Sequence, residues 1–257
     1  MDTNGLKARL KNGECVYGPF LRIPDPAVTE IIGYAGWDFC IIDLEHGPLS
    51  VIQAQNMVRA AKAAGMAPLI RTREMAETMI VRALDTGAAG VQIPQVNSAE
   101  AAAMAVRSAK FYPLGERGVC KFTRNAEYSH IPQEKYFNMA NEDSLVVIQI
   151  EGEGGVKQID EILDTPGIDV VFMGPYDLSQ SLGLTGQVTH PKVISLLETL
   201  TEKIRKKGLA AGCFANTHES IKMQRDMGIQ YLSSYIDTGF IYEAFRDDLI
   251  RIKEEAK

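Results

Sequence analysis

The sequence predicts an α/β protein, a single-domain (β/α)8 barrel of the TIM type covering residues 1–257. Three observations carry that expectation. Short apolar runs, many of them β-branched, alternate with longer helical patterns from one end of the chain to the other. Most of these runs are continuous rather than alternating, as in parallel strands covered on both faces or closed into a barrel. Eight alternations in 257 residues match the length of such a barrel, about 250 residues. A doubly wound open sheet is the alternative. No Pro-, Gly- or Ser-rich linker divides the chain, and no low-complexity tract interrupts it.

Taken in order, strands are expected over residues 15–21, 39–43, 67–71, 90–93, 145–150, 170–173, 210–214 and 231–235. Helices are expected between and after them. Residues 25–35 open with a proline near the first turn, which is preset for helical φ. Residues 50–64 open on Ser50 in capping position and end before Gly65. Residues 74–86, 98–110, 153–163, 191–207, 218–227 and 240–255 complete the set. The last has Ile241, Phe245, Leu249 and Ile252 at helical spacing, a stripe of the kind that usually covers its own barrel. Residues 112–144 carry no clean strand, and a long connection in a compact barrel is usually a working loop, here a lid or a subunit clamp.

Composition removes several classes of function. Lys and Arg total 27 against 33 Asp and Glu, a net charge of −6, with no basic stripe, so no nucleic-acid partner is expected. Apolar runs such as residues 145–150 stop far short of a bilayer span, so no membrane partner is expected either. The amino-terminal MDTNGLKARLKNGE lacks the apolar core of a leader. Cys15, Cys40, Cys120 and Cys213 form no CxxC pair, which argues against a zinc knuckle or a disulfide framework. A cytoplasmic protein is the expectation.

In a barrel, chemistry collects where the strands end. Strand two runs into Asp43-Leu44-Glu45-His46-Gly47-Pro48, strand three ends in Arg71, strand five in Gln149-Ile150-Glu151, and strand six in Gly174-Pro175-Tyr176-Asp177. Glu151 and Asp177 would project from neighbouring strands and could approach one oxygen-preferring cation, leaving positions for water and substrate. Alternatively, each caps the helix that follows. His46 is the one histidine at a strand end. Asp43, three residues earlier, could accept a proton from its ring, and Asp85 is a second candidate for that role. His190 and His218 read as caps or surface residues, and His130 falls in the long loop. Arg71 could fix a carboxylate or neutralise charge developing on an oxygen, or could simply pair with a barrel carboxylate. No lysine sits on an expected strand or strand end, so a Schiff-base mechanism lacks its nucleophile; Lys121 lies in the long loop and Lys157 on a helix. No GxGxxG or P-loop sequence is present, and Gly152-Glu153-Gly154-Gly155 is only a weak anion-turn signal.

Five segments together resemble the HpcH/HpaI aldolase family of metal-dependent pyruvate aldolases. They are DFCIIDLEHGPLS (38–50), PLIRTRE (68–74), ALDTGAAGVQIPQV (83–96), VVIQIEGEGGV (146–156) and VFMGPYDLSQSLG (171–183), in family order over most of the chain. The resemblance implies roles. His46 is the proton acceptor, Asp85 raises its basicity and Asp43 helps hold it. Arg71 stabilises the transition state, while Glu151 and Asp177 are the metal ligands for Mg²⁺, Mn²⁺ or Co²⁺. Gln149 contacts substrate, as does the backbone of Gly174, Pro175 and Tyr176. The implied reaction is reversible cleavage of a 4-hydroxy-2-oxoacid to pyruvate and an aldehyde through a metal-stabilised enolate. The implied partners are a small 2-oxoacid and further copies of the chain in a hexamer, packed through residues 240–255. Oxaloacetate decarboxylation, cleavage of a CoA thioester, or a non-catalytic metabolite-binding barrel are the alternatives; the CoA version wants a basic patch that is not found. Two departures from the family pattern stand out. Tyr176 occupies a position that is often small, and CKFTRNAEYS follows Arg117-Gly118-Val119 where the family has small residues, with Arg124 roughly retained.

Overall fold

The computed structural model describes residues 5–256; residues 1–4 of the amino-terminal stretch discussed above and Lys257 lie outside them. Eight parallel strands follow one another around a closed barrel: β1 (Val16–Leu21), β2 (Phe39–Asp43), β3 (Ala67–Arg71), β4 (Gly90–Ile93), β5 (Leu145–Ile150), β6 (Val170–Met173), β7 (Ala210–Ala215) and β8 (Tyr231–Ile236). The open-sheet alternative is excluded by the β1–β8 pairing, in which Val16 stands opposite Tyr231.

Successive side chains on a strand point to opposite faces, so one parity fills the barrel and the other meets the helices. Phe39, Ile41, Leu69, Val147, Phe172 and Tyr231 form the interior core, whereas Cys40, Ile42, Ile70, Val91, Val146 and Ile148 belong to the layer beneath the helices. Extending the interior parity to the strand ends leads to Asp43, Arg71, Gln92, Gln149 and, one step past β5, Glu151. The register agrees: Asp43 stands opposite Arg71, and Arg71 opposite Gln92. Packing thus aims these polar side chains at the mouth.

The helices are α1 (Leu6–Lys11), α2 (Pro26–Tyr34), α3 (Val51–Ala63), α4 (Glu77–Asp85), α5 (Ala99–Ala109), α6 (Gln133–Asp143), α7 (Glu153–Lys157), α8 (Ile159–Leu163), α9 (Pro175–Ser181), α10 (Pro191–Lys206), α11 (His218–Asp226) and α12 (Asp237–Glu255). Ser50 and Gln53 form a reciprocal capping box at α3, as do Thr217 and Ser220 at α11, and the His190 ring accepts the Lys192 N–H at α10. Among the described residues, no helix is long and apolar enough to cross a membrane.

Several elements differ from expectation. α1 places Leu6 and Leu10 in the interior core and plugs the end of the barrel where the strands begin. The helix expected over 153–163 is broken at Gln158 into α7 and α8. α4 starts at Glu77, after an extended Ala76. The 112–144 segment contains a 3-10 turn, Arg124–Ser129, and α6. It follows the carboxyl end of α5, so it lies at the face where strands begin, tied to the end of α4 by Arg124 donating to the Thr86 carbonyl. That position excludes a lid over its own barrel mouth. Beyond its first turn α12 does not cover the barrel: only Asp237 is buried, and Phe245 is 77% exposed.

Asp237 closes the β8–β1 seam. Its carboxylate, 4% exposed, accepts the N–H groups of Arg22 (3.0 Å) and Ile23 (2.9 Å) as the chain leaves β1. Asp237→Ala orphans these donors, and urea unfolding is expected to show a loss of about 2 kcal/mol; an unchanged midpoint contradicts this role.

Candidate active site

Asp43 ends β2 with its carboxylate fully buried. It receives Arg71 as a two-pronged fork, Nε to Oδ1 at 2.9 Å and Nη2 to Oδ2 at 2.7 Å, and Arg22 Nε adds a third bond at 2.9 Å. Oδ1 also accepts the N–H groups of Glu45 (3.1 Å) and His46 (3.2 Å), which folds the chain back above the strand. The turn needs Gly47, because a Cβ there would come within 2.2 Å of the Asp43 carbonyl oxygen. Burial alone would push the Asp43 carboxyl up; the hydrogen bonds and charges of Arg71, helped by Arg22, hold it below its ordinary value.

This corrects one expectation about Asp43. It positions His46 through the main chain and makes no bond to the imidazole. The His46 side chain is 57% exposed, and the nearest carboxylate to its Nε2 is Glu45 Oε2 at 3.9 Å. Asp85 is a second correction. It ends α4, a helix running antiparallel to the strands, so it sits at the opposite end of the barrel, where Arg117 donates to it at 2.7 Å. Within one chain it does not meet His46.

Across the mouth, Glu151 accepts the Gln95 N–H at Oε1 (2.8 Å) and the Gln149 amide at Oε2. Gln149 in turn accepts Gln92 Nε2 at 2.8 Å, so buried amides set the Glu151 carboxylate. Gly174, at the start of α9, must be small here: a Cβ would stand 3.0 Å from Glu151 Cβ. Asp177 lies in the first turn of α9. Neither carboxylate caps a helix, since Gly152 and Gly174 occupy the capping positions of α7 and α9 without a side-chain bond.

Sequence reasoning passed over Glu45 and Arg22, although both stand in the quoted strand ends or directly after a strand. The Glu45 side chain is only 10% exposed; Oε2 is ion-paired with Arg71 Nη1 at 3.0 Å yet takes no hydrogen bond. Burial raises the Glu45 carboxyl, and Asp43 and Asp177 raise it further against the opposing pull of Arg71. Burial likewise raises Glu151, assisted by Glu45 and Asp177. One hollow is lined by Glu45, Glu151 and Asp177 with His46 and Gln95; it adjoins a cavity of about 210 Å³, and His46 and Asp177 line both.

Three facing carboxylates, two of them held above their ordinary range, are what a divalent cation would relieve. Among the described residues, no three His, Cys, Asp or Glu side chains gather tightly enough to ligate an ion alone. Glu151 and Asp177 therefore fit a hard cation that takes its other ligands from water and substrate oxygen. Arg71, Gln149 and the Gly174–Tyr176 segment line the adjoining cavity of about 210 Å³.

Comparison with known proteins matches residues 17–242 to the family model described as HpcH/HpaI aldolase/citrate lyase. A hydroxypyruvate/pyruvate aldolase of Paraburkholderia phytofirmans is 34% identical over 98% of both chains. A 2-keto-3-deoxy-L-rhamnonate aldolase of Escherichia coli is 33% identical over 98% of this chain and 94% of its own. The crystal structure of an HpcH/HpaI aldolase/citrate lyase family protein from Burkholderia cenocepacia superimposes with a TM-score of 0.92, at 31% identity, over 98% of this chain and all of that one.

Asp43→Asn leaves two guanidinium groups facing a neutral amide. A loss of about 3–5 kcal/mol in urea unfolding at neutral pH is expected. Because the Asp43 carboxyl lies lower folded than unfolded, its contribution is complete above the unfolded value, about 3.9. It is lost as pH falls through the lower folded value. The gap between parent and variant should therefore narrow on acidification; a gap independent of pH contradicts the assignment.

Proposed function

This chain belongs to the HpcH/HpaI aldolase/citrate lyase family, and from that premise we propose that it is a metal-dependent carbon–carbon lyase. It cleaves a 4-hydroxy-2-oxoacid reversibly to pyruvate and an aldehyde. The observation that carries the reading is one cavity holding His46, Arg71, Gln149 and Asp177, with Glu151 in the adjoining hollow.

The residues divide the work. Glu151 and Asp177 would hold the cation, Mg²⁺, Mn²⁺ or Co²⁺, which when bound supplies Lewis acidity towards the 2-keto oxygen. His46, exposed on the cavity side of a turn fixed by Asp43, takes the proton of the 4-hydroxyl, directly or through water. The C3–C4 bond breaks, its electron pair moves towards the 2-keto group, and the aldehyde leaves. Arg71, clamped by Asp43 and paired with Glu45, meets the negative charge developing on that oxygen without having to reorganise. Gln149 and the backbone of Gly174, Pro175 and Tyr176 orient the pyruvyl end. A proton returns to C3 to complete pyruvate.

The assembly we propose is a homo-oligomer, a hexamer by family resemblance. The exposed apolar residues of α12 support it, together with the groove they border beside Ile31 and Trp37. The setting we propose is cytoplasmic, in keeping with cysteines that form no disulfide among the described residues.

Exchange of the pyruvate methyl protons for deuterium, followed by NMR, isolates the enolisation half-reaction. Exchange is expected with Mn²⁺ or Mg²⁺, abolished by EDTA and reduced about 10²–10⁴-fold in His46→Ala. It should fall on acidification from above the ordinary glutamate range, because protons compete with the cation for Glu151, whose carboxyl burial raises. Pyruvate binding without any exchange would mark a binding protein instead. Light scattering tests assembly: Phe245→Asp is expected to lower the mass, and a parent already monomeric contradicts the homo-oligomer.

A further inference from the structure

The barrel mouth is chemically divided. The acidic side chains and Arg71 stand on the β2, β3, β5 and β6 ends, while Arg22 follows β1. The opposite arc, from β7 through β8 to β1, presents Phe214, Ile236 and Phe20 to the same cavity. The rings interlock: Phe20 lies 5.9 Å from Phe214 and 6.2 Å from Phe172, edge to face. A substrate anchored at the carboxylates and reaching across the mouth would bring its aldehyde half to this wall.

Tyr176 sits where the two arcs join. It precedes Asp177 on α9, lines the cavity, and is 42% exposed. Its ring lies 6.2 Å from Phe214, and its hydroxyl oxygen accepts Asn216 Nδ2 at 3.2 Å from the segment just after β7. Two contacts from one neighbouring strand end thus fix both the plane of the ring and the position of its oxygen. Because the amide is the donor, the phenolic proton stays free for another acceptor. Arg22, the other polar group on this side, gives its Nε to Asp43. The wall therefore offers one positioned hydroxyl, beside the remaining N–H groups of Arg22, in an otherwise apolar surface.

We propose that Tyr176, held by Asn216, determines aldehyde specificity by selecting short aldehydes that carry a hydroxyl beside the carbonyl. Such a hydroxyl accepts the phenolic proton, whereas a methyl group in its place strands the phenol against an apolar neighbour. Sites that hydrogen-bond a substrate hydroxyl reject the analogue lacking it far better than apolar pockets reject an added one. The inference rests on the lyase reading above and adds the partner's chemistry to it.

Glycolaldehyde and propionaldehyde have the same heavy-atom count and differ in a hydroxyl against a methyl. With pyruvate and Mn²⁺, the parent is expected to favour glycolaldehyde in kcat/KM by about 10-fold. Tyr176→Phe should reduce that ratio to about 2 or less. Asn216→Ala, which leaves the phenol in place but unanchored, should lower the ratio partway while pyruvate deuterium exchange continues. Ratios unchanged in both variants overturn the assignment, as does a parent indifferent to the hydroxyl. A parent that prefers succinic semialdehyde to glycolaldehyde also overturns it, because that result points to Arg22 and a carboxylate-bearing partner. Loss of exchange in the parent itself is a different failure, since it removes the lyase reading on which this one stands.

Discussion

The fork of Arg71 on Asp43 is the constraint from which the site is built. It joins adjacent strands side by side at the level where they end, and it is fully buried on the carboxylate side. One carboxylate serves several tasks. It binds two guanidinium groups, it fixes the planar fork facing the cavity, and it folds the chain so that His46 leaves the strand pointing outward. Removing a partner from such a pair strands a charge where water cannot reach it. The catalytic geometry and part of the barrel's stability therefore depend on the same bonds.

Opposite that fork the arrangement is deliberately uncomfortable. Glu45, Glu151 and Asp177 line one hollow, and burial disfavours the charged forms of Glu45 and Glu151. The polar chain Gln92–Gln149–Glu151 supplies donors on one side only, leaving the cavity side of the cluster rich in negative charge. A protein that only had to be stable would gain by neutralising such a cluster, and sites that bind cations or move charge are where such strain is kept. A neighbouring cation converts the repulsion into attraction without moving the backbone.

The strands were legible because the barrel asks so little of them. A buried parallel strand needs a continuous apolar run, and 39–43, 67–71, 90–93, 145–150 and 170–173 agree with the structure to the residue. The helices that escaped notice have weaker local signals. α9 is a short turn opened by Pro175 and reads as a strand end, while α6 is highly polar with one fully buried aromatic, Tyr136. Among site residues, proximity in sequence misled in one case and topology in another. Asp43 and His46 are three apart, yet the carboxylate is consumed by the fork and reaches only the backbone. Asp85 was expected near His46, but a helix between two parallel strands must carry its carboxyl end back to the far side of the barrel. Glu45 went unassigned because a strand leaving its ladder loses the two-residue alternation from which side-chain direction is read.

The surface adds a separate lesson. α12 presents Phe240, Tyr242, Phe245 and Leu249 to solvent, where the spacing alone suggested a helix lying on its own barrel. Amphipathicity says that a face is to be covered; it does not say by what. At the mouth, the central claim is that one divalent ion sits between Glu151 and Asp177 within reach of substrate. Crystals grown with Mn²⁺ and pyruvate, measured at the manganese absorption edge, examine it directly. The account predicts an anomalous peak within about 2.0–2.3 Å of carboxylate oxygens from both residues, with pyruvate beside it on the Arg71 side. A manganese peak that bypasses these two carboxylates, with pyruvate bound elsewhere, contradicts it.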